Sequence, residues 1–171
     1  MLYYSCLTIM IIDKVMKNER KKDIMRKELV LEVNKQIANL GVGYIKFHNL
    51  HWNVVGGQFK PVHEYLEVLY DILSDSLDEV AEVLKMNGEY PVASLREFLE
   101  LSQIEELERS EDINYVEVLK VVIDDLVILQ NQAKVIRNLA LEDDIIVLID
   151  SMEGIISNID KELWFIRSML K

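Results

Sequence analysis

The amino-acid sequence predicts an all-α chain: a four-helix bundle with a short extra helix in its middle connection. Three observations carry that prediction. Gly and Pro together number 8 of 171 residues, under half of their usual share of about 12%. That scarcity argues against a loop-rich sandwich, a collagen-like repeat and a disordered chain. Hydrophobic residues make up 50% of the chain, enough to fill a core. Apolar residues recur at helical spacing in four long runs, and turn signals separate the runs.

The first run begins near Lys27. Leu29, Val33, Ile37, Leu40, Tyr44, Phe47 and His51 lie three or four residues apart, on one face of a 3.6-residue period. It breaks at Asn53-Val-Val-Gly-Gly57. Pro61 then sits where the first turn of a helix tolerates proline. Val62, Leu66, Leu69, Leu73, Leu77, Val80 and Leu84 mark the second helix, which stops at Asn87-Gly88 with Pro91 beyond. Ser94-Leu-Arg-Glu97 matches a capping box and predicts a short helix to about Leu101. Ser110-Glu-Asp predicts the start of the third long helix, because acidic residues suit the positive end of a helix dipole. Its stripe is Val116, Leu119, Val122, Leu126, Leu129, Ala133, Ile136 and Ala140. The last stripe runs Ile145, Leu148, Met152, Ile155, Ile159, Leu163, Ile166 and Leu170. Residues 145–149 alone could pass for a strand, but the helical period continues to the C-terminus. Short outer links imply two antiparallel hairpins, and the long middle link implies a crossover, the connectivity of ferritin-like bundles.

Charge divides the chain. Residues 1–27 hold seven Lys/Arg against three Asp/Glu, a net +4; the remaining residues hold twelve against twenty-seven, a net −15. A body this acidic repels phosphate backbones and attracts cations. Residues 1–27 therefore read as a flexible basic extension, and residues 28–171 as one domain. The apolar run at 1–12 is too short for a bilayer-spanning helix of about 20 residues. It also lacks the charge order of a signal peptide, since its Lys and Arg follow it. Met16 and Met25 are alternative starts. No membrane span is expected. The single cysteine, Cys6, excludes an intrachain disulfide framework and a Cys-based zinc cluster, and fits a cytoplasmic setting.

The chemistry gathers on the second helix. Beside its apolar stripe runs another: His63, Glu67, Asp71, Ser74, Asp78 and Glu82. A solvated acidic face is the plain reading. Yet His63 with Glu67, and Asp78 with Glu82, stand at i, i+4, where two side chains converge on one cation. Such donors are oxygen-rich and suit iron or manganese better than zinc. All three histidines (His48, His51, His63) fall within sixteen residues. His51 ends the first helix where His63 begins the second, so those two can share an ion. Asp78 lies fifteen residues beyond His63, about 22 Å along a helix. If the His end and the carboxylate end belong to one site, two chains must meet antiparallel across a two-fold axis. The Glu-x-x-His motifs of an intra-bundle di-iron site are absent, since Ile45, His48 and Lys60 stand three before the histidines.

His51-Trp52-Asn53-Val54-Val55-Gly56, Phe59, His63-Glu64, Tyr70-Asp71, Asp78-Glu79, Ala81-Glu82 and Gly88 to Pro91 together resemble the Dps family of mini-ferritins. The spacing H-x11-H-x14-D-x3-E and the later Lys161-x-x-Trp164-x-x-Arg167 extend that resemblance over about residues 28–171. It implies a homo-dodecameric shell that oxidises Fe(II), preferably with hydrogen peroxide, and stores ferric mineral. It implies two irons per intersubunit site, with His51 and His63 from one chain and Asp78 and Glu82 from its partner. Glu67 matches the acid that helps hold the second iron, and Trp52 a tryptophan that takes up oxidising equivalents. Asp144 and Asp150 match acids lining three-fold pores, although EDDIIVLID departs from the family's usual Gly-Asp-x-x-Thr-x-Asp. Without the resemblance, His48 reads as a packed surface histidine. Trp52 and Trp164 then read as core aromatics, and Asp143, Asp144 and Asp150 as cap and surface charges. Many members also bind DNA through basic tails. Lys17 to Lys22 with Arg26-Lys27 offer such a tail, but the acidic body predicts weak or absent DNA binding.

Overall fold

A computed structural model of the chain describes residues 25–171. The sequence reading of residues 1–24, including the basic run from Lys17 to Lys22, lies outside the described residues. Five helices appear in order: α1 (Lys27–Asn53), α2 (Phe59–Met86), α3 (Leu95–Leu101), α4 (Tyr115–Asp143) and α5 (Ile146–Met169). The long helices form the expected bundle, and α3 lies in the crossover between α2 and α4. No helix among the described residues is long and apolar enough to cross a membrane.

The predicted stripes form the core. Leu29, Ile37, Leu40, Phe47 and Leu50 of α1 meet Leu66, Leu69 and Leu84 of α2; Leu119, Leu129 and Ile136 of α4; and Leu148 of α5, all essentially inaccessible. Burying one such side chain contributes about 1.5–3 kcal/mol. Lys46 on α1 and Asp125 on α4 form a buried ion pair, with Nζ 2.8 Å from Oδ2 and 2.9 Å from Oδ1. Burial pushes the Asp125 carboxyl above its ordinary range, against the pull of the Lys46 ammonium.

Two buried asparagines of α1 fasten the crossover. Asn34 Oδ1 accepts from the Val92 amide at 2.8 Å, and Asn39 Oδ1 from the Gln103 amide at 2.6 Å. The α3 cap forms as its sequence predicts: Ser94 Oγ accepts from the Glu97 amide and the Glu97 carboxylate accepts from the Ser94 amide. Phe98 then lies so close over Gly41 that a Cβ there would stand 2.6 Å from the ring. Only glycine lets α3 approach that far.

Two expectations need correction. The third long helix begins at Tyr115 rather than at Ser110. Ile113–Asn114 instead pair in parallel with Val54–Val55, a two-residue bridge that the helical periods gave no reason to expect. The Asn114 side chain accepts from the Val116 amide at 3.0 Å and caps the helix. Val118 joins the core in place of Val116, which is half-buried. Nor are Trp52 and Trp164 core aromatics: they are 68% and 63% exposed.

Two residues ahead of α1 engage the bundle. Met25 is buried in the core. Arg26 reaches the α4–α5 corner, where its Nη2 lies 2.7 Å from Glu142 and its Nε 2.9 Å from Asp143. Arg26 is thereby committed to carboxylates of its own domain.

Candidate metal centre

The α1–α2 corner builds the candidate centre. The bridge between Val54–Val55 and Ile113–Asn114 fixes the chain just after α1. Gly56, at φ +114°, turns it back toward α2, a conformation that L side chains rarely adopt. That turn sets the last turn of α1 against the first turn of α2, and so His51 against His63.

Their rings stack at 3.7 Å between centroids and 20° between planes. Each ring bonds the other's backbone. His51 Nδ1–H donates to the His63 carbonyl at 2.8 Å, and His63 Nδ1–H donates to the His51 carbonyl at 2.9 Å. A carbonyl only accepts, so both Nδ1 atoms carry a proton, and in the neutral rings both Nε2 atoms keep a free lone pair. The His51 carbonyl is one of the four that the end of α1 leaves without an intrahelical partner. One exchange thus fastens two helices, satisfies an orphan carbonyl and fixes the orientation of two imidazoles.

Aromatic rings hold the pair in place. The edge of Tyr70 meets His51 at 5.4 Å and 88°, and Phe59 lies 5.2 Å from His63. His48 stacks on the other side of Tyr70 at 3.8 Å, and its Nδ1–H donates to the Tyr44 carbonyl at 2.9 Å. It is half-buried, the packed role expected of it. Trp52 stands 5.4 Å from His48, with most of its surface in solvent. Burial and the nearby Glu67 and Asp71 carboxylates push the Tyr70 hydroxyl above its ordinary value.

The carboxylates behave differently. Glu67, Asp71, Asp78 and Glu82 are all exposed along α2. Among the described residues, no three His, Cys, Asp or Glu side chains of one chain converge to hold a metal ion. The chain therefore brings His51 and His63 together and leaves Asp78 and Glu82 at the far end of α2. Asp144 caps α4 in the left-handed conformation at φ 57°, which suits Asp better than most residues. Asp150 is exposed on α5.

Sequence reasoning missed the carbonyl exchange and the packing roles of Tyr70 and Phe59. The available signal was their spacing: Tyr70 follows His63 by seven residues and Phe59 precedes it by four, so all three lie near one face of α2.

Bundle connectivity and paired imidazoles define a ferritin-like protein, and a family model of the ferritin-like domain matches residues 31–171. The DNA protection during starvation protein of Brevibacillus brevis is 35% identical over 139 residues, 81% of this chain and 92% of that protein. The crystal structure of antigen TpF1 from Treponema pallidum superposes with a TM-score of 0.82 at 32% identity, covering 86% of this chain and 97% of that one. The DPS protein of Vibrio cholerae O1 superposes at 0.81 with 26% identity, over 89% and 92% of the two chains; it is described as a member of a broad superfamily of ferritin-like diiron-carboxylate proteins. The chain belongs to the Dps family of mini-ferritins.

Proposed function

We propose that the chain is the subunit of a ferroxidase and iron-storage shell that protects against oxidative damage. The observation that carries this reading is the His51–His63 pair: two imidazoles held by each other's carbonyls, with no third His, Cys, Asp or Glu converging on them among the described residues. A second copy turned by a two-fold axis supplies what is missing. Its Asp78 and Glu82 meet the first chain's His51 and His63, and each dimer then holds two equivalent sites.

Iron is substrate and cargo here. The Asp78 and Glu82 carboxylates neutralise Fe(II), and the imidazoles fix its geometry. Glu67, one turn after His63, helps hold a second iron. Two Fe(II) ions deliver one electron each to hydrogen peroxide. The O–O bond breaks and two protons complete two waters, so no hydroxyl radical leaves the site. Trp52, beside His48 and open to solvent, takes up stray oxidising equivalents. Asp144 and Asp150 draw cations toward the interior through pores of a homo-dodecamer. A chain with one cysteine fits the cytoplasm as the setting.

The second reading, non-specific DNA binding through the basic residues before α1, draws on the name of the Brevibacillus relative. Arg26 is engaged with Glu142 and Asp143, and residues 28–171 carry −15, so DNA binding is weak or absent at physiological salt. One experiment tests the main reading. Fe(II) and hydrogen peroxide are added to the purified full chain while oxidation and particle mass are followed together. Fast oxidation in a particle near twelve subunits supports it; slow oxidation in a monomer overturns it.

A further inference from the structure

Asn87 is the only asparagine in the chain followed by glycine. Every other asparagine precedes a residue whose side chain crowds its backbone nitrogen. The Asn87-Gly88 pair also closes α2. Gly88 takes the left-handed conformation at φ +79°. Its amide donates to the Lys85 carbonyl at 3.1 Å, and the Glu89 amide donates to the Leu84 carbonyl at 3.0 Å. Those two bonds form a Schellman stop, which favours glycine at that position. The same glycine leaves its nitrogen unshielded. Gly88 is exposed, and among the described residues nothing lies within 4 Å of where a Cβ would stand.

We infer that Asn87 is a deamidation site that the folded end of α2 holds inactive. In the reaction, the Gly88 nitrogen gives up its proton and bonds to Asn87 Cγ. The Cγ–Nδ2 bond breaks, and Nδ2 takes up a proton and leaves as ammonia. Water then opens the five-membered imide at one of its two carbonyls, giving aspartate or isoaspartate. Water is the sole co-reactant, hydroxide speeds the proton loss, and no electron changes hands.

The cap opposes this reaction in three ways. At ψ 12° the Gly88 nitrogen nearly eclipses the Asn87 nitrogen, so it stands away from the side chain that it must attack. Its N–H is committed to the Lys85 carbonyl. Asn87 Nδ2 donates to the Val83 carbonyl at 2.8 Å, which holds Cγ back along the helix. Ring closure therefore requires the last turn to open, a local event that costs less than global unfolding. The product cannot restore the lock. Aspartate has no Nδ2 donor for Val83, and its charge stands at the negative end of the helix dipole. Isoaspartate lengthens the backbone by one methylene. Each converted chain keeps a frayed end, so conversion runs in one direction and records how often the turn has opened. The proposed iron centre uses none of these groups, and a failure here leaves that reading untouched.

Peptide mapping of the full chain in mildly alkaline buffer tests the inference. In denaturant, Asn87 is expected to convert ahead of every other asparagine. In native buffer its conversion should be at least about 10-fold slower, because opening must come first. Guanidinium below the unfolding transition should speed it while the helical signal stays unchanged. Equal rates in native buffer and denaturant, or another asparagine reacting first in denaturant, overturn the assignment. A rate that rises only with global unfolding overturns the local gate. The Asn87→Asp variant reads the consequence. Amide exchange at 87–89 should quicken about 5-fold, the effect of one lost hydrogen bond, while the Leu69 and Leu73 amides keep their protection. Unchanged exchange at 87–89 overturns the loss of the lock.

Discussion

The two ends of α2 solve opposite problems. At its start, His63 is locked to His51 by two hydrogen bonds, a ring stack and flanking Tyr70 and Phe59. Near its other end, Asp78 and Glu82 stand in solvent. In the proposed site the His end would orient its donors before any ion arrives and so spend little ordering them later. The carboxylate end must avoid clustering charge within one chain, and it stays open until something with complementary donors covers it. In the proposed assembly, a side chain idle in the lone subunit becomes indispensable.

The sharpest break between the ends comes from Asp78→Ala. Because Asp78 is exposed and off the core stripe, the unfolding free energy should change by less than about 0.5 kcal/mol. Fast Fe(II) oxidation should fall by more than about 100-fold, beyond the usual effect of losing a group that only orients a ligand. Stopped-flow absorbance beside thermal denaturation checks both. Unchanged oxidation in a correctly assembled variant would remove Asp78 from the site.

Lys46 supplies a control for what a buried polar pair does without a metal. Lys46→Met leaves the Asp125 carboxylate buried and alone, and should cost about 3–5 kcal/mol. Lys46→Met with Asp125→Leu should recover most of that loss. Denaturant titrations of the two singles and the double measure the coupling. A double variant as unstable as the first would mean that the pair does more than satisfy itself.

His51→Ala sits between these cases. It should abolish oxidation as Asp78→Ala does. Unlike Asp78→Ala, it should also destabilise the fold by about 1–3 kcal/mol, because it deletes a buried ring together with the hydrogen bond that ties α1 to α2. Equal stability in the two variants would erase the difference between the ends. Gly56→Ala probes the corner without touching a donor. Its φ of +114° and a neighbouring Tyr115 ring 3.1 Å from the added Cβ predict a loss of about 1–2 kcal/mol. Oxidation should slow in the same variant, because the corner no longer holds His51 against His63. Thermal melts and initial rates on one preparation read both effects.

Much of this was legible in the sequence for a physical reason. Helical periods expose cores, so the stripes from Leu29 and from Val62 located α1 and α2 closely. The capping box at Ser94 located α3, because both of its partners are local. The start of α4 was not legible at Ser110. Ile113 and Asn114 are held by Val54 and Val55, nearly sixty residues earlier, and long-range pairing leaves no periodic trace. The exposure of Trp52 and Trp164 escaped for a related reason: large apolar side chains belong inside unless another subunit is to cover them. The donor types and spacing of the proposed centre come from His51, His63, Asp78 and Glu82 in the sequence, and the fold brings the two histidines together. The fixed tautomers were not legible, since they depend on two carbonyls that carry no sequence signal.

The proposed site draws its two ends from two chains, and complementation between inactive subunits measures that sharing. His51→Ala subunits and Asp78→Ala subunits should each be inactive, one for want of an imidazole and the other for want of a carboxylate. Denatured together and refolded as mixed assemblies, some dimers pair an intact His end with an intact carboxylate end. A two-fold pair of one His51→Ala and one Asp78→Ala subunit holds one complete site and one doubly broken site. With random pairing, half of the dimers are mixed, so about a quarter of the wild-type sites should be restored. Fe(II) oxidation with hydrogen peroxide near a quarter of the wild-type rate is the predicted result; mixed assemblies as inactive as either parent would contradict it.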